Sequence, residues 1–125
     1  MNSNAQIQVI DKWEKFSDGL EYFTKSWVPT TAPIATVLFI HGMGDHISRY
    51  NHIFTQFAEK RIKVLGFDER GFSRTARRNG IPGHTGGMNQ ALKDISEADA
   101  LIKTNKVPHF VMGHRYLIIR SLILF

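Results

Sequence analysis

The sequence has no cysteine among its 125 residues, so neither a disulfide framework nor a thiolate metal site is available. It also lacks the apolar stretch of ~20 residues that a membrane-spanning helix needs. Residues 1–6 are polar, unlike the apolar core of a signal peptide. We therefore expect a cytoplasmic protein, with peripheral attachment to a membrane or lipid surface as the alternative.

Basic residues outnumber acidic ones, and the formal net charge of +5 permits attraction to anionic surfaces without specifying a partner. No pair of histidines has the HExxH-type spacing of a metal site, and we expect no metal and no cofactor. Without interleaved aromatic residues or a recognised module, an arginine cluster is better interpreted as a solvated loop than as a nucleic-acid site. The cluster, which the pattern places in one loop, consists of Arg70, Arg74, Arg77 and Arg78.

The most informative stretch is an apolar run followed by a glycine-rich segment. Ala35–Ile40 is rich in β-branched and aromatic residues and predicts a buried strand. The run stops at His41, Gly42, Met43 and Gly44, where two glycines flank one side chain. Glycine lets backbone N–H groups approach a ligand closely, as an oxyanion requires in acyl transfer. A plain strand-to-helix turn that uses glycine only for its geometry explains the loop equally well.

An amphipathic helix is predicted directly after this loop. Ser48 is placed to cap it, because its hydroxyl can accept from the free N–H groups of the first turn. Asp45 and Arg49 lie four residues apart and can pair across the helix entry. The predicted apolar face consists of residues at helical spacing: Tyr50, Ile53, Phe54, Phe57 and Ala58.

The rest of the chain alternates predicted strands and helices after an initial hairpin. Asp18-Gly19 between two β-prone runs indicates the hairpin. Strands that alternate with helices imply βαβ units, so the predicted fold class is α/β, with parallel strands after the antiparallel hairpin. The predicted elements are hairpin strands over residues 7–16 and 21–27, strands over 62–67 and 109–112, a helix over 88–102 and a loop over 79–87.

Two motifs give the chain a resemblance to a known family. Residues 41–50, His-Gly-Met-Gly-Asp-His-Ile-Ser-Arg-Tyr, resemble the His-Gly-x-Gly-Glu/Asp-His-x-x-Arg-Tyr loop of the monoacylglycerol lipase and lysophospholipase branch of the α/β-hydrolases. Residues 67–75 resemble the family's Asp-x-Arg/His-Gly-x-Gly-x-Ser/Thr turn, but Ser73 stands where the family usually has glycine. The chain thus looks like a serine aminopeptidase-type hydrolase domain. The resemblance implies the N-terminal half of an α/β-hydrolase sheet over residues 1–114, with an apolar tail over residues 115–125 outside the family pattern.

The resemblance also implies roles for the residues of the glycine-rich loop. The backbone N–H of Met43 would be one oxyanion donor, and the residue after the nucleophile would supply the other. The implied oxyanion loop is His41, Gly42, Met43 and Gly44, and its implied supports are Asp45, His46 and Arg49.

The nucleophile position departs from the family pattern. In this fold the serine stands on a sharp turn after the fifth strand, in the pattern Gly-x-Ser-x-Gly. The corresponding residues here are Gly113, His114 and Arg115, and an arginine is always protonated and cannot act as the nucleophile. By resemblance, the family's acid and histidine would lie beyond residue 125. We therefore expect this chain to be inactive.

Several interpretations of this departure are open. A shifted reading frame, a retained intron or a mispredicted gene end is favoured over a single substitution in a pseudoenzyme, because the following sequence is also unlike the family. Ser73 lacks the second glycine of the Gly-x-Ser-x-Gly pattern, and Ser121 lies in an apolar run. Neither serine is therefore a good replacement nucleophile. Besides an ester hydrolase, the chain could be a non-catalytic fragment that binds lipid or a partner, or a gene-model product without function.

Two kinds of partner follow from the resemblance. The implied substrate is a lipid ester, such as a monoacylglycerol or lysophospholipid, or another acyl compound. Because the family's sixth strand is missing, residues 109–112 are expected to form an edge strand. Unpaired edges are templates for another chain, so self-association through this strand is a further expectation.

Overall fold

The computed structural model describes residues 7–42, 45–83 and 86–113. Within these residues the chain forms five strands, three α-helices and a 3-10 helix over Ile47–Tyr50 that leads directly into the first α-helix. The strands are β1 (Ile7–Lys15), β2 (Glu21–Pro29), β3 (Ala35–Ile40), β4 (Ile62–Phe67) and β5 (His109–Gly113). The helices are α1 (Asn51–Glu59), α2 (Ser73–Asn79) and α3 (Met88–Ala100).

The strands form one sheet in the order β1-β2-β4-β3-β5. β1 pairs antiparallel with β2, and β2 pairs antiparallel with β4. β3 is parallel to both of its neighbours, β4 and β5. Parallel neighbours need a crossover connection, which α1 provides between β3 and β4. The predicted hairpin followed by parallel strands with helices is confirmed.

The hairpin turns at Asp18 and Gly19. Asp18 Oδ1 accepts from Leu20 N–H at 2.9 Å. Gly19 has a φ of +87°, a conformation that glycine adopts without steric cost. Ser17 donates from its N–H and its hydroxyl to Glu97 of α3, at 2.7 and 2.9 Å, so the turn is also attached to that helix.

β3 is buried on both faces because a helix covers each of them. Leu38 and Ile40 pack with residues of α3 on one face. Val37 and Phe39 pack with Phe54 of α1 on the other face. Alternate side chains of a strand point to opposite faces, so a strand covered on both sides needs the continuous apolar run seen in the sequence.

The entry to α1 differs from the prediction. Ser48 does not cap the helix, and its hydroxyl instead lies 3.4 Å from Lys25 Nζ. The buried carboxylate of Asp68 accepts from Ile47 N–H at 2.7 Å, because the end of β4 brings this acceptor to the first turn. The predicted apolar face is correct for the buried Phe54, but Ile53 is 49% exposed and does not belong to it.

The arginine cluster is not a loop, which corrects the interpretation from the sequence. Thr75 anchors a helix here, because its Oγ1 donates to the Asp68 carbonyl at 2.6 Å and accepts from Phe23 N–H at 3.0 Å. Three of the four arginines lie on this helix, α2: Arg74, Arg77 and Arg78.

The remaining arginine, Arg70, is turned toward the protein rather than toward solvent. Its Nε donates to Asp94 Oδ2 at 3.1 Å, and its guanidinium also pairs with Asp18. On α2, the guanidinium of Arg78 stacks over the Trp13 ring at 4.2 Å. These contacts join the hairpin to α3 and α2, which is a structural role.

β5 is one of the two edge strands of the described sheet, and β1 is the other. His109 fixes its beginning, since Nδ1 lies 2.7 Å from Thr36 Oγ1 and Nε2 lies 2.5 Å from Asp99 Oδ1 of α3. Farther along the strand, Phe110 is 56% exposed and Met112 is 39% exposed. The strand thus lies at the expected edge, and its pairing with a second copy stays a prediction.

Candidate functional site

Three parallel strands end together at one end of the sheet, the carboxyl edge. Ile40 at the end of β3 pairs with Phe67 at the end of β4 and with Gly113 at the end of β5. The glycine-rich loop, the turn after β4 and the segment that follows β5 therefore begin side by side. Gly113 is buried, and His114 and Arg115 lie outside the described residues.

The glycine-rich loop is closed by a backbone hydrogen bond. Gly42 carbonyl accepts from Asp45 N–H at 3.1 Å. Met43 and Gly44 stand between these two residues and lie outside the described residues, so the implied role of Met43 N–H as an oxyanion donor stays a prediction. The closure fixes both ends of the loop at the carboxyl edge.

Asp45 holds the far end of the loop through several donors. Its carboxylate accepts from the Tyr50 hydroxyl and, at 2.8 Å, from His46 N–H. Arg49 NH1 lies 3.6 Å away. Partial burial raises the pKa of Asp45, but these hydrogen bonds and the Arg49 charge outweigh it and hold the pKa below its usual value. His46 contributes its backbone, while its side chain is exposed.

His41 holds the near end of the loop and is fully buried. Its Nε2 accepts from Glu69 N–H at 2.9 Å, so the ring proton is on Nδ1. Nδ1 lies 2.7 Å from the Gly42 carbonyl, to which it donates. Burial lowers the pKa of His41 by more than the Gly42 carbonyl and nearby carboxylates raise it, so the ring is neutral at neutral pH.

Asp68 is a site residue that the sequence interpretation missed. The side chain is 1% exposed, and its two oxygens accept from Ile47 N–H at 2.7 Å and Arg74 N–H at 3.3 Å. It therefore connects the segment after the loop to the start of α2. A carboxylate directly after a buried parallel strand was the signal that could have identified it.

Ser73, which the sequence pattern set apart as a departure from glycine, has a backbone conformation that favours glycine. Its φ is +46°, in the left-handed region where side chains other than glycine are strained. Gly71, two residues earlier, also has a positive φ, of +87°. The turn after β4 thus needs two left-handed residues close together, and this chain supplies only one glycine for them.

No group of three or more His, Cys, Asp or Glu side chains that could hold a metal occurs in residues 7–42, 45–83 and 86–113. Across the same ranges, none of the helices has both the length and the apolar character to cross a membrane. What the described residues do place at the carboxyl edge is a set of hydrogen-bonded carboxylates, Asp45 and Asp68, beside the backbone of the glycine-rich loop.

The sequence is similar to a known protein family and to known proteins. The family described as serine aminopeptidase, S33 matches residues 31–115. An uncharacterised abhydrolase domain-containing protein of Dictyostelium discoideum is 45% identical over 92 residues, covering 74% of this chain and 9% of that protein. A monoacylglycerol lipase of Mycolicibacterium smegmatis is 29% identical over 97 residues, covering 70% of this chain and 31% of that protein.

The fold is also similar to solved structures. A lipase in an open form superposes with a TM-score of 0.71 at 25% identity, covering 87% of this chain and 37% of that chain. The chain therefore spans about a third or less of the two curated relatives and little more than a third of this structure. The five-stranded sheet corresponds to an incomplete α/β-hydrolase fold.

Proposed function

This chain belongs to the serine aminopeptidase S33 family of α/β-hydrolases, and from that premise we propose that it carries the oxyanion-loop part of a monoacylglycerol-lipase-like ester hydrolase. The observation that supports the proposal is the closed glycine-rich loop after β3, which begins beside the end of β5. Those are the two places from which an α/β-hydrolase supplies its oxyanion donors and its nucleophile.

In the proposed reaction, a serine attacks the ester carbonyl and negative charge develops on the carbonyl oxygen. We assign Met43 N–H as one donor to that oxygen and the N–H after the nucleophile as the other. Asp45 and His41 hold the two ends of the loop, as their hydrogen bonds indicate. Donors that are fixed in advance need no reorganisation when the charge develops, which is why these supports matter.

The 125-residue polypeptide itself is proposed to be inactive. Arg115 cannot form an acyl intermediate at the nucleophile position. Two histidines among the described residues are also unsuitable as the general base that a nucleophile at position 115 would need. His41 uses both ring nitrogens in hydrogen bonds, and His109 lies at the opposite end of β5 from Gly113. We therefore assign ester hydrolysis to a form of this protein that has serine at position 115.

The proposed substrate class is a carboxylic ester with one acyl chain, a monoacylglycerol or lysophospholipid. Similarity to the monoacylglycerol lipase of Mycolicibacterium smegmatis supports this choice. A second candidate function is a non-catalytic lipid-binding fragment, which the exposed Phe110 and Met112 on the edge strand favour.

The first experiment measures activity of the purified 125-residue chain. We expect hydrolysis of a short-chain nitrophenyl ester at the buffer rate and no labelling by a fluorophosphonate serine probe, with an active esterase as the positive control. Stoichiometric labelling of Ser73, Ser121 or any other serine would contradict the proposed inactivity.

The second experiment distinguishes the two candidate functions. The transcript is sequenced across the codons for Gly113, His114 and Arg115. A serine codon at position 115, together with monoacylglycerol hydrolysis by the encoded protein, supports the ester hydrolase. An arginine codon, together with monoacylglycerol binding without turnover, supports the lipid-binding fragment.

A further inference from the structure

The carboxyl edge contains a buried carboxyl group that the oxyanion loop does not account for. Glu69 follows Asp68 at the end of β4, and its side chain is 12% exposed. Its Oε2 has no hydrogen-bond partner, the one such buried side-chain atom in the described part of the chain. A buried polar atom without a partner carries a desolvation cost, so its position calls for an explanation.

Glu69 Oε2 is nevertheless close to a donor. It lies 3.1 Å from His41 Nδ1, the same nitrogen that lies 2.7 Å from the Gly42 carbonyl. The short distance to Glu69 is not a hydrogen bond, because the single N–H of Nδ1 is directed at Gly42. One donor therefore stands between two acceptors, and one of these acceptors is the carbonyl that also closes the oxyanion loop.

We propose that Glu69 is a positioning residue for the oxyanion loop, which takes the His41 Nδ1–H from the Gly42 carbonyl when its own carboxyl group is ionised. A neutral carboxyl oxygen is a weak competitor for the N–H, and the bond to Gly42 persists. A carboxylate accepts a charge-assisted hydrogen bond that is roughly twice as strong, so it competes successfully. The proton lost by Glu69 goes to solvent, while the Nδ1 proton stays on His41 and only its acceptor changes.

The groups around Glu69 make this exchange relevant near neutral pH. Burial raises the pKa of Glu69 most, and the charges of Asp94 and Asp68 raise it further, to about 8. Arg70 is nearby, but its guanidinium is bound to Asp94. Because His41 is neutral over this range, as established above, the group that changes charge is Glu69.

Further charged groups face His41 from the loop side. Asp45 and Asp68 act to raise its pKa, whereas His46 acts to lower it. Asp45 is already paired with Tyr50 and Arg49 and is ionised throughout this range. Asp45 therefore contributes a constant charge across the transition of Glu69.

The test follows the imidazole nitrogens and does not need catalytic activity. The 125-residue chain is labelled with ¹⁵N-histidine and with ¹³C-carbonyl glycine, and the resonances of His41 and Gly42 are recorded from pH 6 to pH 9.5. We expect His41 Nδ1 and the Gly42 carbonyl carbon to shift together, with one midpoint near pH 8, while Nε2 keeps its unprotonated shift. In Glu69→Gln, which keeps the shape but cannot ionise, both signals should stay at the low-pH position.

The matched control is Glu97→Gln, which removes a glutamate on α3 and should leave the midpoint unchanged. If Glu69→Gln does not fold, the ¹³C shift of the Glu69 carboxyl in the unaltered chain replaces it. A midpoint near 8 that coincides with the Nδ1 shift supports the proposal, and a Glu69 carboxyl that is already ionised at pH 6 overturns it. A flat His41 profile in the unaltered chain, or a transition that persists in Glu69→Gln, also overturns it.

This inference rests on the proposed function only in identifying residues 41–44 as the oxyanion loop. The two can fail separately. A titrating His41 in a protein whose serine-bearing form hydrolyses no ester would overturn the function alone. A hydrolase without the His41 transition would overturn the role of Glu69 alone.

Discussion

A methyl group added at Gly66 should disturb the segment that follows the glycine-rich loop after β3. Gly66 lies in β4, and a Cβ built there would be 2.6 Å from Ile47 Cγ1 and closer still to Ile47 Cδ1. Ile47 is fully buried and packs with the side chains of α1, so there is little free space into which it can move. Gly66→Ala must therefore displace Ile47, whose N–H is held by Asp68.

The magnitude follows from the two costs involved. Forcing an extra methyl into a packed core costs ~1–3 kcal/mol. Ile47→Ala alone leaves a void and costs ~2–5 kcal/mol. In the double variant the new methyl occupies part of that void, so the loss should be smaller than the sum of the single losses. We expect the difference to be ~1–3 kcal/mol, as is found for residues in direct contact.

Urea unfolding of the four proteins, followed by tryptophan fluorescence, measures these losses. The chain contains two tryptophans, Trp13 and Trp27, and Trp27 is fully buried. Gly19→Ala is the matched control, because its φ is +87° but no atom lies within 4 Å of the added Cβ. Its cost should be a backbone cost of ~1–2 kcal/mol that Ile47→Ala does not relieve. Losses for Gly66→Ala and Ile47→Ala that add within ~0.5 kcal/mol would refute the reasoning, because independent sites behave in that way.

Three other outcomes are expected. Ser73→Gly should stabilise the chain by ~0.5–1 kcal/mol because it removes left-handed strain, whereas Ser73→Ala should give no gain in the same urea assay. Glu69 has a folded pKa of about 8, above the ordinary 4.5, so stability is lost as pH rises between these values. Glu69→Gln should remove up to ~1.4 kcal/mol per pH unit of that slope, and parallel pH–stability curves for the two proteins would contradict this. Deleting residues 116–125 should raise the soluble fraction at a fixed concentration, because an apolar segment next to an exposed edge strand promotes pairing between chains; an intact chain that stays monomeric and unfolds in one cooperative transition would show this expectation to be wrong.

Local patterns in the sequence were sufficient for the main elements of the fold. Ala35–Ile40 and Ile62–Phe67 have the boundaries predicted from their apolar runs, because strands covered on both faces need such runs. Asp18-Gly19 predicted the hairpin, since the turn needs a left-handed residue that glycine supplies. The loop motif at residues 41–50 pointed to the α/β-hydrolase family, which the match over residues 31–115 confirms. Each of these signals depends on neighbouring residues alone.

Tertiary structure decided the features that depend on residues far apart in the chain. Asp68 rather than Ser48 receives the first N–H of the helix entry, because strand pairing brings the end of β4 beside the loop. The helix over Ser73–Asn79 was missed, since its anchor is a threonine that bonds to the backbone of β2. The environment of Glu69 is the same kind of feature. Its burial and its distance from His41 arise only when β3, β4 and α3 are assembled, because no local pattern specifies which charges will face a buried carboxyl group.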